Sequence, residues 1–447
     1  MAHILKPRRP LKLMVMAMLA TGALHSLGAQ ALGLVDAYQA ALQNDQAYRA
    51  AFYSNEAGKE NIVLGRSGLL PSISGSFSGS QNRTTVTTTG YKPQAEDYLS
   101  RSSVVQLRQP LFSLDSYARY KQGVAQSDYA AAQFESQQQE VIVRVVNAYL
   151  DTLYKSDLLA LARAEYDLYT EQRKVNDLLF RKGEGTRTDM LETQARLDIA
   201  ETALLETQDA LVQSRAQLAA VIGGEVGTLD TLSPDFHVKP VDGVSFDAWK
   251  NIALERNPDI KTMVYGVEIA RQEVNKARSG HAPRVDFVAV YSRGSSDSIQ
   301  TYGQDTIVRS LGVQVNIPIF AGGAVNAQTR QAVAGQEKAK ADLQAQKDKI
   351  LLELHKDYDT MLSGAKRIEA LNKAVASSEE LVVATEKSVK GGVRINLDVL
   401  NARQQLFTNK RDLAQVKYNY LLNSLRMRAS IGILSADDVR EMASYFH

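Results

Sequence analysis

Residues able to make or break covalent bonds are sparse in this chain and never converge. The six histidines are His3, His25, His237, His281, His355 and His447. None of them shows the paired spacing that places two imidazoles on one helix face for a metal. There is no cysteine, so disulfides, thiolate metal sites, catalytic thiols and a lipidated N-terminal cysteine are all excluded. No GxSxG nucleophile elbow, phosphate-binding P-loop or GxGxxG dinucleotide fingerprint occurs. The single Trp249 lies in a helical pattern and reads as a packing residue. These residues predict neither an enzyme nor a resident metal or cofactor.

What does recur is a set of structural markers, in the same order twice, offset by roughly 210 positions. Gly68-Leu69-Leu70-Pro71 corresponds to Gly280-His281-Ala282-Pro283, and Gln109-Pro110-Leu111-Phe112 to Ile317-Pro318-Ile319-Phe320. Thr188-Asp189-Met190-Leu191 corresponds to Leu397-Asp398-Val399-Leu400. Each half reads as a short helix, two strands, a very long helix and a short helix. The first repeat is expected over 32–223 and the second over 246–432, with a linker at 224–245 and a tail at 433–447.

Lys6, Arg8, Arg9 and Lys12 precede an apolar stretch at 13–24, and Ala29-Gln30-Ala31 fits a small-residue cleavage site. Residues 1–31 therefore read as a cleavable secretory signal, too short in its apolar part to anchor a membrane. The leader holds four basic residues and no acidic one, so its removal takes the formal net charge from +2 to −2. No global basic field remains that would favour nucleic acid.

Beyond the leader no apolar run is long enough for a transmembrane helix, which leaves a β-barrel as the only way to span a bilayer. Four segments, 71–80, 102–109, 284–293 and 309–317, alternate with a two-residue period. Ile73, Gly75, Phe77 and Gly79 oppose a run of serines; Leu311, Val313, Val315 and Ile317 oppose Ser310, Gly312, Gln314 and Asn316. A half-buried soluble sheet uses the same period, but no further strands exist to complete a sandwich. Polar loops are expected at 81–101 and 294–308. Four strands cannot close a barrel, because the smallest outer-membrane barrels have about eight. Oligomerisation is therefore required. Pro71, Pro110, Pro283 and Pro318 mark the helix–strand junctions, where a missing amide donor is tolerated. Phe112 and Phe320 follow two of them, either at a lipid–water boundary or as core plugs beneath the barrel.

The long helices are expected over 113–182 and 324–390, about 100 Å each at about 1.5 Å per residue. Leu354, Met361, Ile368, Val375, Val382 and Val389 follow a seven-residue interval, as do Tyr154, Leu161, Leu168 and Val175. That period marks a coiled coil. Gly364, Ala365 and Ser378 share the stripe and permit close approach. Shorter helices are expected over 34–67, 189–222, 246–279 and 397–432, with Asp189 and Asn396 as N-caps. Gly183, Glu184, Gly185 and Thr186 form one turn and Gly391 to Arg394 the other.

Strand hairpin, long helix, Gly-rich tip, basic residue and Asp-Val-Leu helix start together resemble the TolC family of outer-membrane export ducts. The sharpest match is Lys390-Gly391-Gly392-Val393-Arg394-Ile395-Asn396-Leu397-Asp398-Val399-Leu400-Asn401-Ala402; Tyr418 to Leu425 adds a second. The resemblance implies a mixed α/β, mostly α membrane protein. It would be a homotrimer with a 12-stranded barrel in outer-membrane lipid, continued by an α-helical coiled-coil barrel into the periplasm. The linker and tail would form an equatorial belt. It also implies docking on a periplasmic adaptor and an inner-membrane ABC transporter through the tips at Gly183, Glu184, Gly185, Thr186, Gly391 and Gly392. Asp398 falls at an acidic entrance ring and Arg394 at a gate latch, while Asn401 stands where the family places a second acid. Without the resemblance, Asp398 reads as a first-turn residue complementing the helix dipole. The implied function is type I protein secretion; small-molecule efflux uses the same architecture, and a periplasmic coiled-coil adaptor lacks the strands.

Overall fold

Two proline-free stretches of Ala, Gln, Glu, Lys and Leu build the shaft of the molecule. In the computed structural model they form single helices, α3 (Leu114–Lys182) and α7 (Ala324–Lys390). The structure describes residues 31–234, 236–238, 245–298 and 301–447. All of the expected leader but Ala31, and linker residues 239–244, lie outside them. The helices preceding the strands are each divided. Helix α1 (Leu34–Asn44) gives way to α2 (Gln46–Ser67), and α5 (Phe246–Arg256) to α6 (Pro258–Arg278). This corrects the single helices expected over 34–67 and 246–279. Asp45 caps α2 by accepting from the Tyr48 amide at 2.9 Å and pairs with Arg144 at 2.9 Å. Asn257 caps α6 through the amides of Asp259 and Ile260, and Pro258 disfavours helix at the residue before it. Return helices α4 (Arg187–Ile222) and α8 (Asn396–Ile431) pack along α3 and α7, and α9 (Ala436–Ala443) closes the chain.

Strands β1 (Ser72–Val86), β2 (Gln94–Phe112), β3 (Arg284–Ser298) and β4 (Thr301–Asn316) form one antiparallel sheet in chain order. They are longer than the alternation predicted. Pairing continues from Ser72↔Arg108 up to Val86↔Gln94, and from Arg284↔Asn316 up to Ser298↔Thr301. Most of the expected loops at 81–101 and 294–308 is therefore ladder. Pro71 and Pro283 immediately precede β1 and β3, and Pro318 follows β4. Pro110 is instead inside β2, where the register slips between Pro110 and Phe112; the bulge absorbs the missing donor. Phe112 and Phe320 are both exposed in the protomer, so neither is a core plug of this chain.

Register sorts the two faces. Ile73, Leu107, Ala289 and Leu311 form one cross-strand row, and Gly75, Val105, Tyr291 and Arg309 the next. The opposite face carries Ser72, Arg108, Val288 and Gly312, then Ser74, Gln106, Val290 and Ser310, polar or small except on β3. At its base Asp286 is buried, bridged by Arg108 at 2.5 Å and Arg284 at 3.0 Å.

The main core lies at mid-shaft. Val141, Val145, Tyr149 and Leu153 of α3 meet Leu421, Leu425 and Ile431 of α8, with Leu34, Ala37 and Ala41 of α1 and Val439 and Met442 of α9. Linker and tail pair beside it: Thr231 and His447 exchange two backbone hydrogen bonds, and Leu32 bridges to Leu229. Helices α2 and α3 touch through small residues. A Cβ on Gly123 would strike the Asn61 carbonyl, and one on Gly58 the Ala130 methyl.

The first half of the α7 seam is placed as predicted, with Leu354, Met361 and Ile368 buried; beyond it Val375, Val382 and Val389 are only half-buried and Ser378 and Thr385 take the buried positions. In α3 the seam falls one residue later than predicted. Ala162, Tyr169 and Asn176 are buried, whereas Val175 is 50% exposed. Tyr418 in α8 donates to Asp157 Oδ2 at 2.7 Å across the core. Burial raises the Asp157 carboxyl above its usual range, against that hydrogen bond and Lys417. Folding therefore favours its protonated form. The associated stability is full below the unfolded value of about 3.9 and is lost as pH rises through the raised folded value. Asp157→Asn, which still accepts from Tyr418, is expected to flatten the fall in unfolding temperature as pH rises above about 4. A slope equal to wild type would exclude Asp157 as its source.

Candidate functional site at the helical tips

At the end of the shaft away from the sheet the two repeats solve the same turn differently. Gly183 ends α3 in the left-handed region at φ 75°, with the Glu184 amide donating to Leu179 at 2.9 Å. Thr186, not the expected Asp189, is the N-cap of α4. The Asp189 amide donates to Thr186 Oγ1 at 3.1 Å, and Asp189 Oδ2 accepts from the Thr186 amide at 3.3 Å. This reciprocal capping box satisfies two otherwise orphaned donors.

In the second turn Gly392 takes the left-handed conformation at φ 75°, and the Val393 amide donates to Ser388 at 2.9 Å. Ile395 occupies the N-cap of α8 with no side-chain hydrogen bond, and the expected cap Asn396 is already inside the helix. Its amide oxygen accepts from Gln172 Nε2 at 3.3 Å, and its nitrogen donates to Thr193 at 3.5 Å. The residue expected to cap α8 instead links the second repeat to the first.

That link belongs to a polar cluster joining all four helices. Asn176 donates to Thr193 Oγ1 at 2.7 Å. Arg403 of α8, 16% exposed, pairs with Glu386 of α7 at 2.6 Å and donates to Gln172 of α3 at 3.2 Å. Arg196 of α4 donates to Asn401 at 3.0 Å and Gln404 at 3.1 Å. Beside it Tyr169, Leu197, Ala200 and Leu400 form a small apolar core. Burial there pushes the Tyr169 phenol up to about 12, and it raises the Glu165 carboxyl as well.

The candidate gate residues are thus separated by environment. The Arg394 side chain is exposed, between exposed Val393 and Ile395, and forms no hydrogen bond or ion pair with other described residues; its amide donates to the Ser388 carbonyl at 3.4 Å. Asp398 is half-buried in the first turn of α8, with its amide donating to the Ile395 carbonyl. Asn401 is held by Arg196. Within one protomer Arg394 and Asp398 do not touch. Gly183, Glu184, Thr186, Gly391 and Gly392 are exposed and Gly185 half-buried. Arg196, Arg403, Gln172, Asn176 and Thr193 were not singled out by the sequence. Their signal was the polar residues lying beside, not on, the apolar heptads. Among the described residues no cluster of metal-ligating side chains occurs, and no helix is long and apolar enough to cross a membrane.

An open four-stranded sheet with one apolar face, set on helices of about 100 Å, defines the protomer of a mostly α membrane channel. The chain belongs to the outer membrane efflux protein family, which matches residues 37–224 and 249–433. It is 38% identical over 421 residues to the alkaline protease secretion protein AprF of Pseudomonas aeruginosa, covering 93% of this chain and 88% of that protein. To the proteases secretion protein PrtF of Dickeya chrysanthemi it is 35% identical, covering 94% and 92%. The fold matches the CmeC outer membrane channel of Campylobacter jejuni with a TM-score of 0.79 at 16% identity, over 93% and 90% of the two chains.

Arg403→Ala would leave Glu386 without its guanidinium partner and Gln172 without a donor. Faster amide hydrogen exchange is expected at 172–193 and 396–404, with mid-shaft exchange unchanged. Unaltered exchange at both tips would show that the cluster does not hold them together.

Proposed function

We propose that this chain is the outer-membrane channel-tunnel of a type I secretion system, passing protein cargo such as a protease outward from an inner-membrane ABC transporter and its periplasmic adaptor. The observation that carries this reading is the incomplete sheet. Its edges, β1 and β4, have no partner strand among the described residues, and open edges are not tolerated in lipid. Three copies supply twelve strands, enough for a closed barrel with the Ile73–Leu311 face to lipid and the serine-rich face to a wet lumen. The protease-secretion relatives favour a protein cargo. Small-molecule efflux remains the second reading, supported by the family's description and by 26% identity to the outer membrane efflux protein BepC of Brucella suis. Deleting the protein and scoring exoprotein loss and drug sensitivity side by side separates the two. Drug sensitivity with intact secretion would overturn the first.

The tips are read as the periplasmic gate and the docking surface for the adaptor. Three Asp398 carboxylates around a narrow axis form a cation-attracting ring, with Arg394 latching neighbouring tips and Asn401 diluting the ring's charge. Asp398→Ala is expected to reduce cation preference in single-channel recordings; unchanged selectivity would remove Asp398 from the constriction. Arg394→Glu is expected to raise resting conductance several-fold, and a channel as closed as wild type would end the latch role.

A further inference from the structure

The lipid-facing side of the sheet carries one exposed arginine on every strand: Arg83 on β1, Arg101 on β2, Arg293 on β3 and Arg309 on β4. Register places them on a diagonal. Arg309 pairs with Tyr291. One row further from the helices Arg293 pairs with Ser103 and Ile307. In the next row Arg101 pairs with Gly79 and Ser295, and two rows on Arg83 pairs with Asp97. The opposite border of the apolar band slants the same way. It lies at Ile317 on β4, at Val285 and Phe112 on β3 and β2, and only at Ile73 on β1. Strands in a closed barrel are tilted and staggered, so a diagonal in register is a level line around the wall.

At a tilt of about 40° a level line shifts by about 1.2 residues per strand, so Arg309, Arg293 and Arg101 lie within about 4 Å of one height and Arg83 stands roughly 7 Å further out. From the lower border of the band to its arginine each strand runs over 73–83, 101–112, 285–293 or 309–317. At about 3.3 Å per residue and a tilt of about 40° that is roughly 20 to 28 Å, matching the band of about 25 Å that a barrel presents to lipid. The arginines thus stand at the outer-leaflet headgroups. Arg309 lies 5.9 Å from the centroid of the Tyr291 ring, an aromatic where interfacial girdles form.

The charge at this level is net positive. Asp97 and Asp305 each stand four residues beyond the arginine of their own strand, and they approach Arg83 and Arg293 only at 3.6 Å, between exposed side chains. Exposed pairs of this kind contribute little. Arg101 and Arg309 have no carboxylate in reach among the described residues. Exposed Leu99 and Ile307 stand just beyond Arg101 and Arg309, giving the mixed apolar and cationic surface that suits a headgroup region.

We infer that these four arginines form a belt that binds the phosphate groups of anionic glycolipid in the outer leaflet. Guanidinium groups suit this role because they hold phosphate oxygens by paired hydrogen bonds while their stems lie on apolar surface. The inference rests on the closed trimeric barrel proposed above. To test it, the full-length trimer in neutral detergent is titrated with bisphosphorylated lipid A and, separately, with its dephosphorylated form, and bound lipid is counted by native mass spectrometry. Wild type is expected to retain the phosphorylated lipid at least about tenfold better, consistent with several charge-assisted contacts. The variant Arg83→Gln/Arg101→Gln/Arg293→Gln/Arg309→Gln is expected to lose that preference, and the matching Lys variant to keep much of it. Equal retention of the two lipids by wild type, or an unchanged preference in the Gln variant, would overturn the belt. The same spectra report trimer mass, so failure of assembly is read separately. If the fourfold variant does not assemble, Arg101→Gln and Arg309→Gln singly decide, and full preference in both would overturn it.

Discussion

A β-strand in lipid must satisfy every backbone donor and acceptor, and most of this molecule's design follows from that demand. Each repeat provides a single hairpin. The β2–β3 ladder joins the two hairpins into one sheet, yet β1 and β4 still end it with unpaired edges. Duplication within the chain halves the problem and association between chains must finish it. The same demand explains the junctions. Pro71 and Pro283 lie outside the ladder, and Pro110 is accommodated only where a bulge has already broken the register.

The helical shaft obeys a different rule, because water is present and helices satisfy their own backbone. Its stability must come from side-chain packing along narrow seams. Small residues on α2 and α3 let the backbones approach until a single added methyl would collide, and the large apolar core among the described residues sits at mid-shaft, where α1, α9 and the paired linker and tail widen the cross-section. Toward the tips the apolar contribution thins to a small cluster around Tyr169, Leu197, Ala200 and Leu400, and hydrogen-bonded polar residues take over the work of fixing register. Buried Asn176 against Thr193 is such a device: it costs stability relative to an apolar pair but penalises any sliding of α3 against α4.

Much of this was legible because it is periodic. The repeat, the two-residue alternation and the heptads of α7 are patterns of residue type, and each led to the element observed. What was not legible depends on partners distant in sequence. Residues 81–101 read as a polar loop, but the ladder continues to Val86↔Gln94 because backbone pairing does not require apolar side chains. The heptad Leu161, Leu168, Val175 is apolar, yet α3 turns Ala162, Tyr169 and Asn176 inward because it packs against more than one helix. Asn396 has the chemistry of an N-cap, and nothing local signals that Gln172 and Thr193 will claim it. By contrast, Asn257-Pro258 could have announced the α5–α6 break.

The two tips show how a duplicated scaffold comes to hold its two return helices by different means. In the first turn Asp189 is spent within its own capping box, so α4 starts from a locally satisfied end. In the second, α8 starts without a side-chain cap, and Asn396, Asn401 and Arg403 all bond to the first repeat or to α7. The start of α8 is therefore held by tertiary contacts rather than by its own sequence. Removing a cap costs about 1 kcal/mol locally, whereas hydrogen bonds to another element can be exchanged for water or for a neighbouring chain at small net cost. A helix end built that way can shift as a unit with little change in its internal hydrogen bonding. That property belongs to the repeat carrying Arg394 and Asp398, and the first repeat lacks it.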